Sequence, residues 1–330
     1  FFKQKTAYEI KECDWSSDVC SSDLSVGTVD VVVTGTGGSS STTGTGNDFR
    51  YFANPSVTSV TPASGPVAGG QTVVLGGANL LGVTSVTFGL ATATVVSGTD
   101  TSLTVTTPAN VIGAVDVTVT TPGGTSSTTG TGNDYRYYGV PTVGSLSPLR
   151  GPLAGTTVTI TGTNLLGVTA VSFGGTAATA FEATSDTSLT VTAPARVAGT
   201  VNVQVTTPGG SSSTTGTDDD FRYVAAPVVS SITPASGPIA GSTAITISGS
   251  GFVDVNTATG VTVGGAPATS VLIVDESTIT AVTPAGTVGT AEVVVTGVGG
   301  TSSTTGTGKD RKSTRLNSSH IPLSRMPSSA

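Results

Sequence analysis

Short stretches in which apolar and polar residues alternate run along most of this chain, and they predict β-strands. The clearest stretch is VDVTVT at residues 115–120, where valine alternates with aspartate or threonine. Because successive side chains of a strand point to opposite faces of a sheet, this period of two indicates a strand with one face in a core. Residues 25–310 contain no stretch with sustained helical periodicity.

Residues 54–139 contain about seven such segments, with turn signals roughly every 8–12 residues. Pro62 has no N–H to donate, so the first strand is expected at a sheet edge, followed by a turn at residues 63–66. This spacing predicts a two-sheet sandwich of the immunoglobulin type. The predicted strands are Val57–Thr61, Gln71–Leu75, Ser85–Phe88, Ala91–Val96, Leu103–Thr107, Val115–Thr120 and Tyr135–Tyr137.

The pattern repeats at a fixed step. Pro55, Pro141 and Pro227 are 86 residues apart and open nearly the same text each time. A repeat of this length is a whole domain rather than one turn of a solenoid. The sequence therefore predicts a C-terminal fragment of a repeat followed by three domains, the third expected to lack its last strand. Their ranges are 25–53, 54–139, 140–225 and 226–310.

The two ends, 1–24 and 311–330, have none of the repeat pattern. They contain the two cysteines, Cys13 and Cys20, and the single His320, Trp15 and Met326. Both texts resemble translated sequencing-adapter reads. The ends are therefore left out of fold reasoning and expected to be disordered.

The net charge of residues 25–310, and the absence of cysteine and histidine from them, argue against several kinds of binding and catalytic site. This part has six basic and fifteen acidic residues, a net charge of −9, which disfavours binding to nucleic acid or anionic membranes. It has neither cysteine nor histidine, so disulfides and Ser-His-Asp or Cys-His centres are excluded. No apolar run is long enough for a membrane-spanning helix.

An ordered set of motifs recurs in all three domains. It runs P-x-V-x-x-V-x-P-x-x-G-P, then G-x-N-L, V-x-F-G and V-x-V-T-T-P-G-G, and it closes on D-Y-R-Y, with departures in the third copy. This order resembles the IPT/TIG family. The resemblance implies an all-β fold of tandem immunoglobulin-like β-sandwich domains of the E-set type.

Tandem copies this alike resemble the arrays of bacterial surface or secreted proteins. That implies a non-enzymatic structural or adhesive spacer outside the cell, with neighbouring repeats and a surface glycan or protein as partners. Two alternatives stay open. One is a carbohydrate-binding accessory array, and the other is a passive domain of a large extracellular polysaccharide-acting enzyme.

Two groups of residues are candidates for a binding site. The acidic run at residues 218–220, with Asn47-Asp48 and Asn133-Asp134 at equivalent places, could offer oxygen ligands to calcium, although a solvated turn is the favoured interpretation. Aromatic side chains on the last strands could stack on sugars, but their alternation with arginine favours core packing. These are Tyr135, Tyr137, Tyr138, Phe221 and Tyr223.

Four isolated carboxylates could pair in space, but the sequence does not show which: Glu182, Asp186, Glu276 and Glu292. The sequence therefore assigns no catalytic, cofactor-binding or metal-binding residue. The third domain has four extra residues between Gly241 and Gly265 compared with the second. They are expected to widen the second strand and the loop after it, where changes of length cost little. Lys309 is the single lysine of 25–310, so isopeptide bonds between lysine and asparagine are excluded from the interior domains.

Overall fold

The computed structural model describes residues 27–303 and the backbone of a short strand at Asp310–Lys312. All regular structure in these residues is β, as the alternation predicted. The chain divides into two compact units, Phe1–Gly139 and Val140–Ala330. The described part holds no helix long and apolar enough to cross a membrane. Disorder is expected at 1–24 and 311–330; apart from the backbone of Arg311 and Lys312, which belongs to a short strand, these ends lie outside the described residues.

The first described residues form two small hairpins. Strand β1 pairs antiparallel with β4, and β2 pairs with β3. Most of their side chains are exposed. The strands are β1 (Gly27–Asp30), β2 (Thr34–Gly35), β3 (Gly38–Ser39) and β4 (Asp48–Tyr51).

Domain 1 is a sandwich of two sheets. It contains β5 (Ser56–Thr61), β6 (Ser64–Pro66), β7 (Thr72–Ala78), β8 (Ser85–Phe88), β9 (Ala91–Thr92), β10 (Thr94–Gly98), β11 (Ser102–Thr106), β12 (Gly113–Thr121), β13 (Gly124–Thr125) and β14 (Asp134–Tyr138). One sheet has the order β10-β11-β7-β5, and the other has β6-β14-β12-β8-β9 with β13 on β12. The inward side chains of both sheets form one core of valine, leucine and aromatic residues.

Strand β5 lies at a sheet edge, as Pro62 predicted. A cis peptide bond joins Thr61 to Pro62, after which the chain crosses to the other sheet. There β6 pairs in parallel with β14. The turn predicted at residues 63–66 is therefore wrong, because Ser64–Pro66 is a strand. The single strand predicted at Ala91–Val96 is wrong too: it divides into β9 and β10, which belong to different sheets.

Domain 2 repeats this topology. Its strands are β15 (Thr142–Ser147), β16 (Arg150–Pro152), β17 (Thr157–Thr163), β18 (Ala170–Phe173), β19 (Thr176–Ala177), β20 (Ala180–Ser185), β21 (Ser188–Thr192), β22 (Gly199–Thr207), β23 (Gly210–Ser211) and β24 (Asp220–Val224). The sheets have the orders β15-β17-β21-β20 and β16-β24-β22-β18-β19, with β23 on β22.

Domain 3 has the same first sheet, in the order β25-β26-β30-β29. Its second sheet is β28-β27-β31-β32, with β33 on β31. The strands are β25 (Val228–Thr233), β26 (Ala244–Ser250), β27 (Val261–Val263), β28 (Ala266–Pro267), β29 (Thr269–Asp275), β30 (Thr278–Val282), β31 (Thr290–Gly297), β32 (Gly300–Thr301) and β33 (Asp310–Lys312).

The insertion of domain 3 does not lengthen its second strand. Strand β26 has seven residues, as β7 and β17 do. The expectation of a wider second strand is therefore wrong, and the loop at residues 251–260, which leads into β27, is the part that grows. A loop accepts extra residues because it has no ladder of backbone hydrogen bonds to keep in register.

Candidate functional site at the junction of domains 2 and 3

The aromatic residues of the last strand of domain 1 lie in its core. Tyr135 and Tyr137 are fully buried, with ring centroids 5.0 and 6.4 Å from that of Phe88. The Tyr135 hydroxyl donates to Gln71 Oε1 at 2.7 Å, and the Tyr137 hydroxyl donates to the Pro108 carbonyl at 2.9 Å. Burial raises the pKa of Tyr137 to about 12. The prediction of core packing over a sugar platform is confirmed for these two residues.

Domain 2 has the same arrangement. Phe221 and Tyr223 are buried against Phe173, and the Tyr223 hydroxyl donates to the Pro194 carbonyl at 2.8 Å. Tyr138 differs, because it is half-buried and the Arg136 guanidinium lies 5.3 Å from its ring centroid. Four of the five candidate rings are therefore enclosed, and the fifth is covered by a cation on one face.

The acidic run of domain 2 lies at the start of β24. Asp219 is buried, and its Oδ2 has no hydrogen-bond partner among the described residues. At the equivalent place in domain 1, buried Asn133 donates from Nδ2 to Asp116 Oδ1 at 3.4 Å. The described residues contain no group of three or more carboxylate, histidine or cysteine side chains that could hold a metal ion. Both interpretations of the acidic run, a turn and a calcium site, therefore stay predictions.

The backbone between domains 2 and 3 is short and closely packed. Strand β24 ends at Val224 and β25 begins at Val228. The Ala225 carbonyl oxygen lies against Gly299, in the turn between β31 and β32, where any Cβ would overlap it. The linker backbone thus packs against this turn of domain 3, and only glycine at position 299 leaves room for it.

Two ion pairs join the domains beside this linker. Arg222 donates from Nη1 and Nη2 to the two Glu276 carboxylate oxygens at 3.1 and 3.2 Å. Arg150 Nε lies 3.2 Å from Asp254 Oδ2. The two arginines are opposite each other on the parallel strands β16 and β24. Each of these two arginines of domain 2 thus pairs with an acidic side chain of domain 3.

The charged side chains of the two ion pairs shift one another's pKa values. The hydrogen bonds from Arg222, and then its charge, hold the pKa of Glu276 below its usual value, with a smaller contribution from Arg150. The pKa of Arg222 is raised by the same contact with Glu276. All four side chains are at least a third exposed, so each pair is worth modest energy and is screened by salt.

Comparison with known proteins decides the family. The family model described as the IPT/TIG domain matches residues 55–137, 141–223 and 227–309. The chain belongs to the IPT/TIG family. A comparison with curated proteins finds no match.

Several solved structures resemble the array of TIG domains in fold. The plexin A4 extracellular region is 22% identical, with a TM-score of 0.36 over 73% of this chain and 23% of that chain. The Escherichia coli adhesin FdeC is 14% identical, with a TM-score of 0.34 over 80% of this chain and 98% of that chain. SGBP-B from a xyloglucan utilization locus in Bacteroides uniformis is 19% identical, with a TM-score of 0.26 over 59% of this chain and 56% of that chain. The chain thus spans less than two thirds of the plexin region and of SGBP-B.

The residues that join TIG domains 2 and 3 were mostly missed from the sequence. Glu276 was singled out only as a lone carboxylate. A signal was available in the alignment of the repeats, because Arg150 stands where domains 1 and 3 have Ser64 and Ser236. Asp254 lies in the insertion that is particular to TIG domain 3. A charge that appears in one copy, with an opposite charge that appears in the next, indicates a contact between those two copies.

Proposed function

We propose that this chain is a non-enzymatic spacer in a cell-surface or secreted protein, in which TIG domains 2 and 3 dock into one semi-rigid unit. The observation that carries the proposal is the junction of domains 2 and 3. Linker backbone and two ion pairs there fix one domain against the next. Such a docked pair would hold a neighbouring functional domain at a set distance from the surface.

The stiffness follows from how few backbone torsions remain free. Ala225, Ala226 and Pro227 separate the two sandwiches, and proline fixes its own φ. The Ala225 carbonyl is held against Gly299, which removes further freedom. The acidic, thiol-free repeats suit an exposed position outside the cell, because they neither need a reducing compartment nor attract anionic surfaces.

Spin-label distances between domains 2 and 3 test the spacer. Labels on cysteines at exposed Val197 and Val288, in a Cys13→Ser/Cys20→Ser background, report the spread of interdomain distances. We expect one narrow distribution. A matched variant with four Gly-Ser residues inserted between Ala225 and Ala226 should broaden it. Equal widths in the two proteins would show that the junction does not restrain the domains.

A carbohydrate-binding array is the second candidate, and one surface groove favours it. Phe181 and Glu182, on the edge strand β20, line a groove of about 240 Å³ together with residues of β21. Glu182 points away from the core and offers its carboxylate to a sugar hydroxyl, whereas the Phe181 ring packs against the core of domain 2. We expect binding on a glycan array that Glu182→Ala abolishes and that Leu272→Ala, on the edge strand of domain 3, leaves intact. Absence of glycan binding would remove this candidate.

A further inference from the structure

One carboxylate of domain 2 is buried without a hydrogen-bond partner. Asp219 is 4% exposed, and its Oδ2 has no partner among the described residues. Its backbone carbonyl accepts from the Val203 N–H at 2.7 Å, so the residue is held beside β22 just before β24 begins. A carboxylate removed from water is costly unless a hydrogen bond or an opposite charge replaces its hydration. Asp219 therefore lacks the partner that its burial requires.

The equivalent place in domain 1 shows the partner that a buried polar side chain has there. Asn133, on the loop before β14, donates from Nδ2 to Asp116 Oδ1 on β12 at 3.4 Å. Domain 2 has the two residue types exchanged. Asn202 stands 86 residues after Asp116, on β22, and Asp219 stands 86 residues after Asn133, on the loop. The carboxylate thus lies at the buried loop position in domain 2, whereas domain 1 has it at the half-buried strand position.

The exchange leaves the buried carboxylate next to a side chain that does not donate to it. Asn202 Nδ2 donates to the Thr214 carbonyl at 2.8 Å, and this contact fixes which way the amide is turned. The Asn202 Oδ1 atom is an acceptor, as is Asp219 Oδ2. Because the side chains at these two positions are in contact in domain 1, the same fold in domain 2 brings an amide oxygen and a carboxylate to one place. Two oxygen acceptors with no hydrogen between them are suited to share a cation.

The charge around this place also favours a cation. Asp218 and Asp220 flank Asp219 in the sequence and add negative potential. The nearest basic residue along the chain, Arg222, is held by Glu276 of domain 3. The described residues bring no set of three carboxylates together here, so the place has one buried charge and otherwise neutral oxygens. Such a ligand set predicts weak binding of a hard cation.

We propose that domain 2 binds a calcium ion between the loop at residues 212–219 and β22. Asp219 Oδ2 supplies the charged ligand and Asn202 Oδ1 a neutral one, and water completes the coordination. Calcium suits the place better than magnesium, because it accepts about 6–8 oxygen ligands in a flexible geometry, whereas magnesium demands a regular octahedron. With one buried carboxylate, we expect a dissociation constant of roughly 0.1–1 mM, as in extracellular modules. The proposal does not rest on the spacer function.

The bound ion would fasten an exposed loop to the sheet. Residues 213–218 are exposed, and Gly216 lies beside the carboxylate, since a Cβ there would be 3.9 Å from Asp219 Oδ1. An ion that binds only the folded domain raises its stability. Calcium should therefore raise the melting temperature of the protein, and a chelator should lower it again.

A calcium titration of the full-length, isotope-labelled protein, followed by NMR, tests the proposal. Starting from chelator-treated protein, we expect the amide signals of residues 212–220 to shift and to approach saturation at roughly 5 mM calcium chloride, and to shift much less with magnesium chloride. Asp219→Asn should weaken binding about tenfold or more, because it removes the charged ligand. The matched control is Asp218→Asn, which makes the same change of charge at an exposed neighbour and should retain the site.

A double exchange separates loss of the ion from loss of the fold. Asn202→Asp/Asp219→Asn copies the pair of domain 1, so this variant should fold and should not bind calcium. The proposal is overturned by a wild-type protein whose signals at residues 212–220 do not shift at about 10 mM calcium. Equal affinity of the wild type and Asp219→Asn also overturns it, as does calcium binding by the double exchange.

Discussion

The junction before domain 1 and the junction before domain 3 use the same backbone contact but different side chains. In both, a linker carbonyl lies against a glycine of the following domain: Ala53 against Gly123, and Ala225 against Gly299. Beside the first linker, the Arg50 guanidinium lies over the Phe52 ring at 4.6 Å. Beside the second, Arg222 instead pairs with Glu276 of the next domain.

The residue two positions after the arginine accounts for this difference. Phe52 and Tyr138 follow Arg50 and Arg136 and offer a ring to stack on, whereas Val224 follows Arg222. A guanidinium with an adjacent ring gains a cation–π contact within its own strand. Without that ring, the guanidinium extends to a carboxylate of the following domain. The linker contact is thus common to the two junctions compared, whereas the ion pairs belong to the junction before domain 3.

The largest expected effect comes from the shared backbone contact. Gly299→Ala places a Cβ against the Ala225 carbonyl oxygen, and Gly123→Ala does the same against Ala53. Because backbone atoms cannot move aside cheaply, we expect each variant to lose about 2 kcal/mol or more of unfolding free energy. Chemical denaturation measures this loss.

The control for these glycine variants is Gly286→Ala, whose Cβ would meet no atom within 4 Å. Its effect should be small. If Gly299→Ala and Gly286→Ala have the same stability, the turn does not hold the linker. If Gly123→Ala alone is destabilising, the two junctions are not built alike.

Strands with one buried face were predicted more accurately than strands that form only by pairing with a segment far away in the sequence. Ser85–Phe88 has the predicted bounds because its alternation is local. Strand β6 was missed, since three residues that include Pro66 become a strand only through parallel pairing with β14. Alternation also continues through Ala91–Val96, although the chain changes sheet there. Local pattern carries no information about which sheet a segment joins.

The candidate site was harder to predict than the fold for a related reason. The repeat motifs and the buried rings follow from residues that recur in each domain. The ion pairs join residues that do not recur and lie far apart in sequence, such as Arg150 and Asp254. Their contact depends on the angle between two domains, which a single-domain pattern does not specify.

When their arginines are removed, the two junctions should differ in how the free energy of unfolding depends on salt. In a double-mutant cycle of Arg222→Ala and Glu276→Ala, we expect a small coupling free energy that fades at high ionic strength. Arg50→Ala, which removes an arginine stacked on Phe52 at the first junction, should show a weaker dependence on salt. Denaturation at low and high salt measures both. A coupling of zero at low salt would mean that Arg222 and Glu276 contribute nothing to the junction.

The smallest expected effect is a loosening of the second junction in acid. Arg222 lowers the pKa of Glu276 below its usual 4.5, so the folded state binds that proton less readily than the unfolded state. The stabilisation is therefore complete above about pH 4.5 and is lost as the pH falls through the lower, folded value. Spin-label distances between domains 2 and 3 should broaden over that range. Glu276→Gln should remove the pH-dependent step, because the amide does not titrate; an unchanged step in this variant would assign the acid response to other carboxylates.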